Sequence, residues 1–265
     1  MAKKSQSSEK PASTAVADAR GTPRKGGRAW ENIKSIAITV AVFLFLRAFF
    51  IEAYRIPSGS MVPTLLIGDW LFVNKLRYGP HVPFTKWNLP GYAEPKRGDV
   101  AVFVSPFQTD MPPGDDPTPT LVKRVQGIPG DTLHMRDGML YLNGEPRPLP
   151  HKIDTLGDPH QRNPLFAWQK EHALKQSRFG AAPDDPDLDN WGPIVVPPGH
   201  YFMMGDARYD SKDSRYWGLV PRANFRGRTL FVYYSFKSGD ASDRTDRPLP
   251  AITAIRWGRI GDIVR

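Results

Sequence analysis

The sequence predicts a mainly β protein carried behind one N-terminal membrane-spanning helix. Three features lead there: a single long apolar run near the start, a series of short β-branched and aromatic runs after it, and turn signals between those runs. At 265 residues and 40% apolar content, the chain can bury a sizeable core as one large or two small domains. It has no cysteine, which excludes disulfides, thiolate catalysis and the usual structural zinc sites but leaves the compartment open.

The first element in chain order is a tail. Residues 1–29 are rich in Lys, Ser, Ala, Gly and Pro and have almost no large apolar side chain, so they cannot offset their own ordering entropy. Residues 1–34 hold eight Lys and Arg against three acids, so +5 of the formal net charge of +9 sits there and only +4 is spread over the rest. A charge confined to one tail fits membrane orientation and argues against a nucleic-acid-binding face. Residues 1–32 are therefore expected as a disordered basic tail.

Residues 33–51, IKSIAITVAVFLFLRAFFI, form the long run, with Lys34 and Arg47 near its ends. Nineteen helical residues cover about 28 Å, close to a hydrocarbon core, and both charges can snorkel to the interface. A buried core helix would show a polar face, and none is present. A cleavable signal would show small residues where Arg47 and Glu52 stand. A retained single-pass span is expected, and the positive-inside rule puts residues 1–32 in the cytoplasm and 52–265 on the far side.

Beyond it, Trp70–Val73, Val100–Val104, Leu121–Val122, Thr132–Leu133, Met139–Leu142, Tyr201–Met204 and Thr229–Phe236 read as strands. Asp137-Gly138 and Asn143-Gly144 bracket Met139–Leu142 as turns, which marks a hairpin strand. Residues 145–199 are rich in Pro and Asp and are expected as a variable, β-rich lobe, with one helix near Phe166–Gln176.

Three stretches carry candidate chemistry. In Ile56-Pro57-Ser58-Gly59-Ser60-Met61-Val62-Pro63-Thr64-Leu65, Ser60 stands between a glycine and a bulky methionine with prolines on both flanks, so its hydroxyl can be held in one place as a nucleophile requires. A plain Ser/Gly/Pro turn is the competing reading. Among six histidines, His81, His134, His151, His160, His172 and His200, none stands in a triad context, although a Ser/His hydrolase remains open. Lys123 offers another base, because strand alternation puts it on one face with Leu121 and Val125, where burial lowers a lysine pKa. Residues 204–218 alternate acids, bases and hydroxyls too densely for a core strand. Their aspartates Asp206, Asp210 and Asp213 do not follow EF-hand spacing, so no metal is expected.

Taken together, IPSGSMVPTLL (56–66), RGDVAV (97–102), LVKRVQGIPGD (121–131) and GDARYDSKDSRYW (205–217), with the closing RWGRIG (256–261), resemble the bacterial type I signal peptidases, membrane-bound serine proteases with a Ser/Lys dyad. The resemblance covers roughly residues 33–265. It implies Ser60 as nucleophile, Lys123 as general base, and the Ser60 N–H with the Ser58 hydroxyl as oxyanion hole. It further implies Ser211 as the residue orienting the lysine, and Asp206, Asp213, Arg215 and Arg124 as supports. Tyr54, Ile56, Leu121 and Val122 would build two shallow pockets for small side chains at substrate positions −1 and −3, the Ala-x-Ala preference.

Its implied substrates are signal-peptide-bearing preproteins and its location the bacterial inner membrane, in contact with phospholipid, with an antiparallel β-sheet catalytic region in the periplasm. No metal or organic cofactor and no nucleic acid is implied. The chain departs from the family at Ala207, at Tyr209-Asp210 and at Leu121, and it has one span where many members have two. The rival from another class is a membrane-anchored binding or assembly protein without turnover.

Overall fold

Eleven strands, each paired antiparallel, build two sheets in the computed structural model, which describes residues 25–82, 85, 87–147, 163–237 and 252–265. The first element is helix α1, Lys25–Phe49. Its stretch Trp30–Phe49 is 20 residues long with a mean hydropathy of 1.7 over an 18-residue window, long and apolar enough to cross a membrane. Most of the expected tail lies outside the described residues, and from Lys25 onward the chain is already helical.

The helix ends two residues before the expected limit at Ile51. Phe50 N–H still bonds the Leu46 carbonyl, but the Phe50 carbonyl accepts from Lys75 N–H, and Ile51 opens strand β1, Ile51–Arg55. This strand pairs with β2, Asp69–Asn74, whose burial alternates along its length. The remaining strands of the larger sheet are β3, Val100–Val104; β4, Thr120–Gly127; β9, His200–Met204; β10, Val220–Pro221; and β11, Phe225–Ser235. Their order is β1-β2-β11-β3-β4-β9-β10. Strand β11 serves both β2 and β3, and its register shifts let one long strand bend across both. At Gly227 a Cβ would lie 2.6 Å from the Asn74 carbonyl, so only glycine permits that approach.

The smaller sheet has the order β7-β6-β5-β8, from β5, Thr132–Arg136; β6, Met139–Leu142; β7, Glu145–Arg147; and β8, Trp191–Val195. The expected hairpin is present, with Asp137 and Asn143 at positive φ in its two turns. The second sheet thus begins at Thr132, ahead of the expected lobe boundary near 145. Residues 148–162 of that lobe lie outside the described residues. The predicted helix shortens to a 3-10 turn, Pro164–Phe166, and α2, Ala167–His172. It stops because Ala173 turns extended and bridges Ile194 on β8.

Among the described residues, buried side chains gather in three clusters. One joins Leu133, Trp191, Ile194 and Phe202, and a second joins Tyr78, Phe103, Val125 and Phe225. The third, with Ile56, Met61, Leu65, Leu71, Val100, Val232 and Val264, lies directly under the serine loop.

Candidate active site

The serine loop, residues 56–68, is closed at its base by Ile56 N–H on the Asp69 carbonyl and Gly68 N–H on the Ile56 carbonyl. Ile56, Met61 and Leu65 anchor it in the third cluster, each at most 4% exposed. Arg259 clamps it from outside, pairing with Asp69 and donating to the Thr64 carbonyl, and Arg256 donates to the Ile67 carbonyl. The closing RWGRIG stretch therefore braces this loop. With Met61 drawn inward, Ser60 is half-buried at the edge of the core and Ser58 is exposed.

Strand β4 brings Lys123 to the same place. Lys123 sits opposite Ala101 of β3, is 4% exposed, and its Nζ lies 2.5 Å from Ser60 Oγ. Burial is the main cause that pushes its pKa from 10.5 down to about 8. Asp213 acts the other way and Arg215 reinforces the fall. A shift of this size leaves a useful fraction of neutral amine near neutral pH.

The loop after β9 supplies the third wall. Asp213, fully buried, caps the short helix α3, Ser214–Trp217, and accepts from Gly205 N–H, Ser211 Oγ and the Arg215 guanidinium at 2.9–3.0 Å. Burial alone would raise the Asp213 carboxyl, but the charge and hydrogen bonds of Arg215 outweigh it and hold it below the usual carboxylate range. At Gly205 a Cβ would meet Ser211 Oγ at 2.2 Å and the Ser60 carbonyl at 2.4 Å, so glycine is what lets the two loops touch. Ala207 N–H then donates to the Ser60 carbonyl at 3.1 Å.

A second brace lies one residue along. Strand alternation turns Arg124 away from Lys123, and its guanidinium makes two bonds to Asp206, at 2.7 and 2.6 Å, with a third to Thr64 Oγ1. Thr64 also donates to Asp206 at 2.6 Å, which ties the serine loop to the loop carrying Asp213. Asp206 is fully buried, so this pairing is what allows its charge to stay there.

The structure brings Ser60, Lys123, Ser211, Asp206, Asp213, Arg215 and Arg124 into one neighbourhood. The Ser211 hydroxyl donates to Asp213 rather than to the lysine amine. The four proposed pocket residues divide: Ile56 and Val122 pack in the third cluster, Leu121 packs in the second beside Phe103, and Tyr54 lies on β1, its phenol raised by burial and by Glu52. Among the described residues, His81, His134, His172 and His200 make no hydrogen bond to Ser60, and His151 and His160 lie outside them. No three His, Asp or Glu side chains gather as metal ligands among the described residues.

Two residues of this site escape a reading of the sequence. Thr64 stands inside the serine block, so its hydroxyl was in view, but nothing local reveals a partner 142 residues away. Asp210 adds to the field at Lys123, and its carboxylate would lie 3.2 Å from a Cβ at Gly59. The only local clue to it is its place in the dense acid–base stretch.

Residues 29–234 match the family described as signal peptidase, peptidase S26. A signal peptidase I of Pseudomonas fluorescens is 38% identical over 221 residues, covering 78% of this chain and 72% of that protein. A signal peptidase I of Pseudomonas aeruginosa is 36% identical with the same coverage of both chains, and one of Aquifex aeolicus is 30% identical over 85% of this chain and 92% of its own.

Proposed function

Because this chain belongs to the signal peptidase S26 family and is thereby a serine endopeptidase of the signal peptidase I kind, we propose that it cleaves signal peptides from exported preproteins with Ser60 as nucleophile and Lys123 as general base. The observation that carries this reading is the 2.5 Å contact between Ser60 Oγ and a buried lysine amine whose pKa is lowered to about 8. A neutral amine at that distance accepts the hydroxyl proton as Ser60 attacks the scissile carbonyl. The developing oxyanion is held by the Ser60 N–H and the exposed Ser58 hydroxyl. The protonated amine then gives its proton to the departing peptide nitrogen, and the acyl-enzyme is hydrolysed when the lysine deprotonates a water.

Ser211 acts in this scheme through Asp213, fixing the carboxylate that faces the amine. Arg215 and the Arg124–Asp206 pair hold the loops in register. Tyr54, Ile56, Leu121 and Val122 line the approach where small side chains at −1 and −3 of an Ala-x-Ala site would lie. Helix Trp30–Phe49 spans the bacterial inner membrane, with the basic residues before it in the cytoplasm and residues 52–265 in the periplasm. Such tethering keeps Ser60 close to the membrane face on which a signal peptide presents its cleavage site, so search is local. Phospholipid is then the surrounding partner, with no role for nucleic acid, metal or cofactor.

Detergent-solubilised protein should cleave an Ala-x-Ala precursor, while Ser60→Ala and Lys123→Met should each lose about 10³-fold or more. Full activity in Lys123→Met would end the Ser/Lys assignment. No cleavage by a well-folded parent would leave the membrane-anchored binding protein standing.

A further inference from the structure

A cleft of about 580 Å³ runs between β4 on one side and β6 and β7 on the other, and five arginines line it: Arg97, Arg124, Arg147, Arg208 and Arg265. Two of them have carboxylate partners in its wall, Arg97 with Asp131 and Arg124 with Asp206. Arg147, Arg208 and Arg265 have none at ion-pair distance among the described residues. Arg208 stands out, being only 3% exposed. Its Nε donates to the Gly205 carbonyl, yet its Nη1 is buried with no hydrogen-bond partner. A buried guanidinium with one nitrogen unpartnered and no carboxylate at ion-pair distance is costly, so a protein keeps one where something completes it.

We propose that this cleft binds a phosphate-type anion, a phosphate monoester or diester, with Arg208 at its floor and Arg147 and Arg265 at its rim. A lone carboxylate offers two oxygens, which one guanidinium fork fills; a phosphate offers more oxygens and suits several forks at once. The buried Leu140 and Leu142 give an apolar wall for an esterified organic group. Burial and the nearby Arg215 push the Arg208 pKa down to about 10, and an anion beside it would reverse that. The cleft lies on the opposite side of β4 from the Lys123 amine, so an occupant need not obstruct the serine. Both a soluble phosphate and a lipid headgroup present this chemistry.

The test is isothermal titration of inorganic phosphate and of pyrophosphate into the full chain, in zwitterionic nanodiscs with and without phosphatidic acid. Saturable binding in zwitterionic discs is expected, weakened about tenfold or more by Arg208→Gln and likewise by the rim pair Arg147→Gln with Arg265→Gln, whose exposed side chains can be changed without unfolding the protein. If phosphatidic acid suppresses that binding in the parent and not in the rim variant, the headgroup is a ligand of the cleft. If it has no effect, the ligand is a free phosphate. Absence of saturable binding, together with equal Tm in the two kinds of disc, overturns the proposal. Binding that all these substitutions leave unchanged overturns it as well, because the anion would then be held elsewhere.

Discussion

Raising the pH from 7 to 9 should speed the enzyme by a calculable factor. With the Lys123 pKa at about 8, the neutral fraction is roughly one in eleven at pH 7 and ten in eleven at pH 9, so kcat/KM should rise about tenfold. The relevant assay is the initial rate on a fluorogenic peptide with alanine at −1 and −3 and no titratable side chain, at concentrations well below KM. Under those conditions the profile reports groups of the free enzyme, which is the state whose burial lowers this amine. A histidine base near its ordinary pKa would give only about a 1.3-fold rise over the same interval, since its titration is nearly complete by pH 7. A plateau reached by pH 7, or a midpoint that a histidine substitution moves, would refute the lysine assignment.

Replacing Lys123 with Met should also stabilise the protein. A buried lysine whose pKa falls from 10.5 to about 8 binds fewer protons folded than unfolded across that interval, so parent stability rises with pH from about 8 to 10.5 and is penalised fully below 8. The penalty is at most about 3 kcal/mol, and the variant should melt several degrees higher at pH 7 with the difference vanishing above pH 10.5; an unchanged or lower Tm at pH 7 counts against it. Asp206→Asn breaks a buried pair and strands Arg124, at a cost of about 3–5 kcal/mol, which a urea titration would read as a lower midpoint. Asp210→Asn removes an exposed negative charge that favours the lysine ammonium, so the midpoint of the pH–rate profile should move to lower pH, by less than a unit because solvent screens it. A shift to higher pH would contradict that field.

What could be read ahead of the structure was whatever a few neighbouring residues determine. Strands β3 and β6 fall where alternation and turn dipeptides put them, and strand alternation alone points Lys123 inward with Val125. Strand β8 was hidden because Gly192-Pro193 lies at its centre, a pair that usually argues against a strand. Strand β1 was masked by the apolar run it follows, and β7 is three exposed residues whose pairing depends wholly on β6. The site shows the same division. Ser60 and Lys123 carry local signals, while the Arg124–Asp206 and Thr64–Asp206 contacts join positions 82 and 142 residues apart and follow from topology. The Ser211 hydroxyl goes to Asp213 because Gly205 packs the two loops too closely for local sequence to reveal.

The two aspartate–arginine pairs explain how a lysine surrounded by carboxylates can still lose its proton near neutrality. Asp213, Asp206 and Asp210 all favour the ammonium, and three uncompensated carboxylates would hold it protonated. Asp213 is committed to Arg215 and Asp206 to Arg124, so each presents the amine with a nearly neutral pair, and Arg215 adds a positive charge that opposes protonation. Burial is then left as the dominant influence and drives the pKa down. The same pairs let Asp213 accept from Gly205 N–H and Ser211 without becoming protonated itself, which keeps the loop rigid while the Lys123 amine changes charge. Support of the loops and tuning of the Lys123 amine therefore rest on the same four side chains.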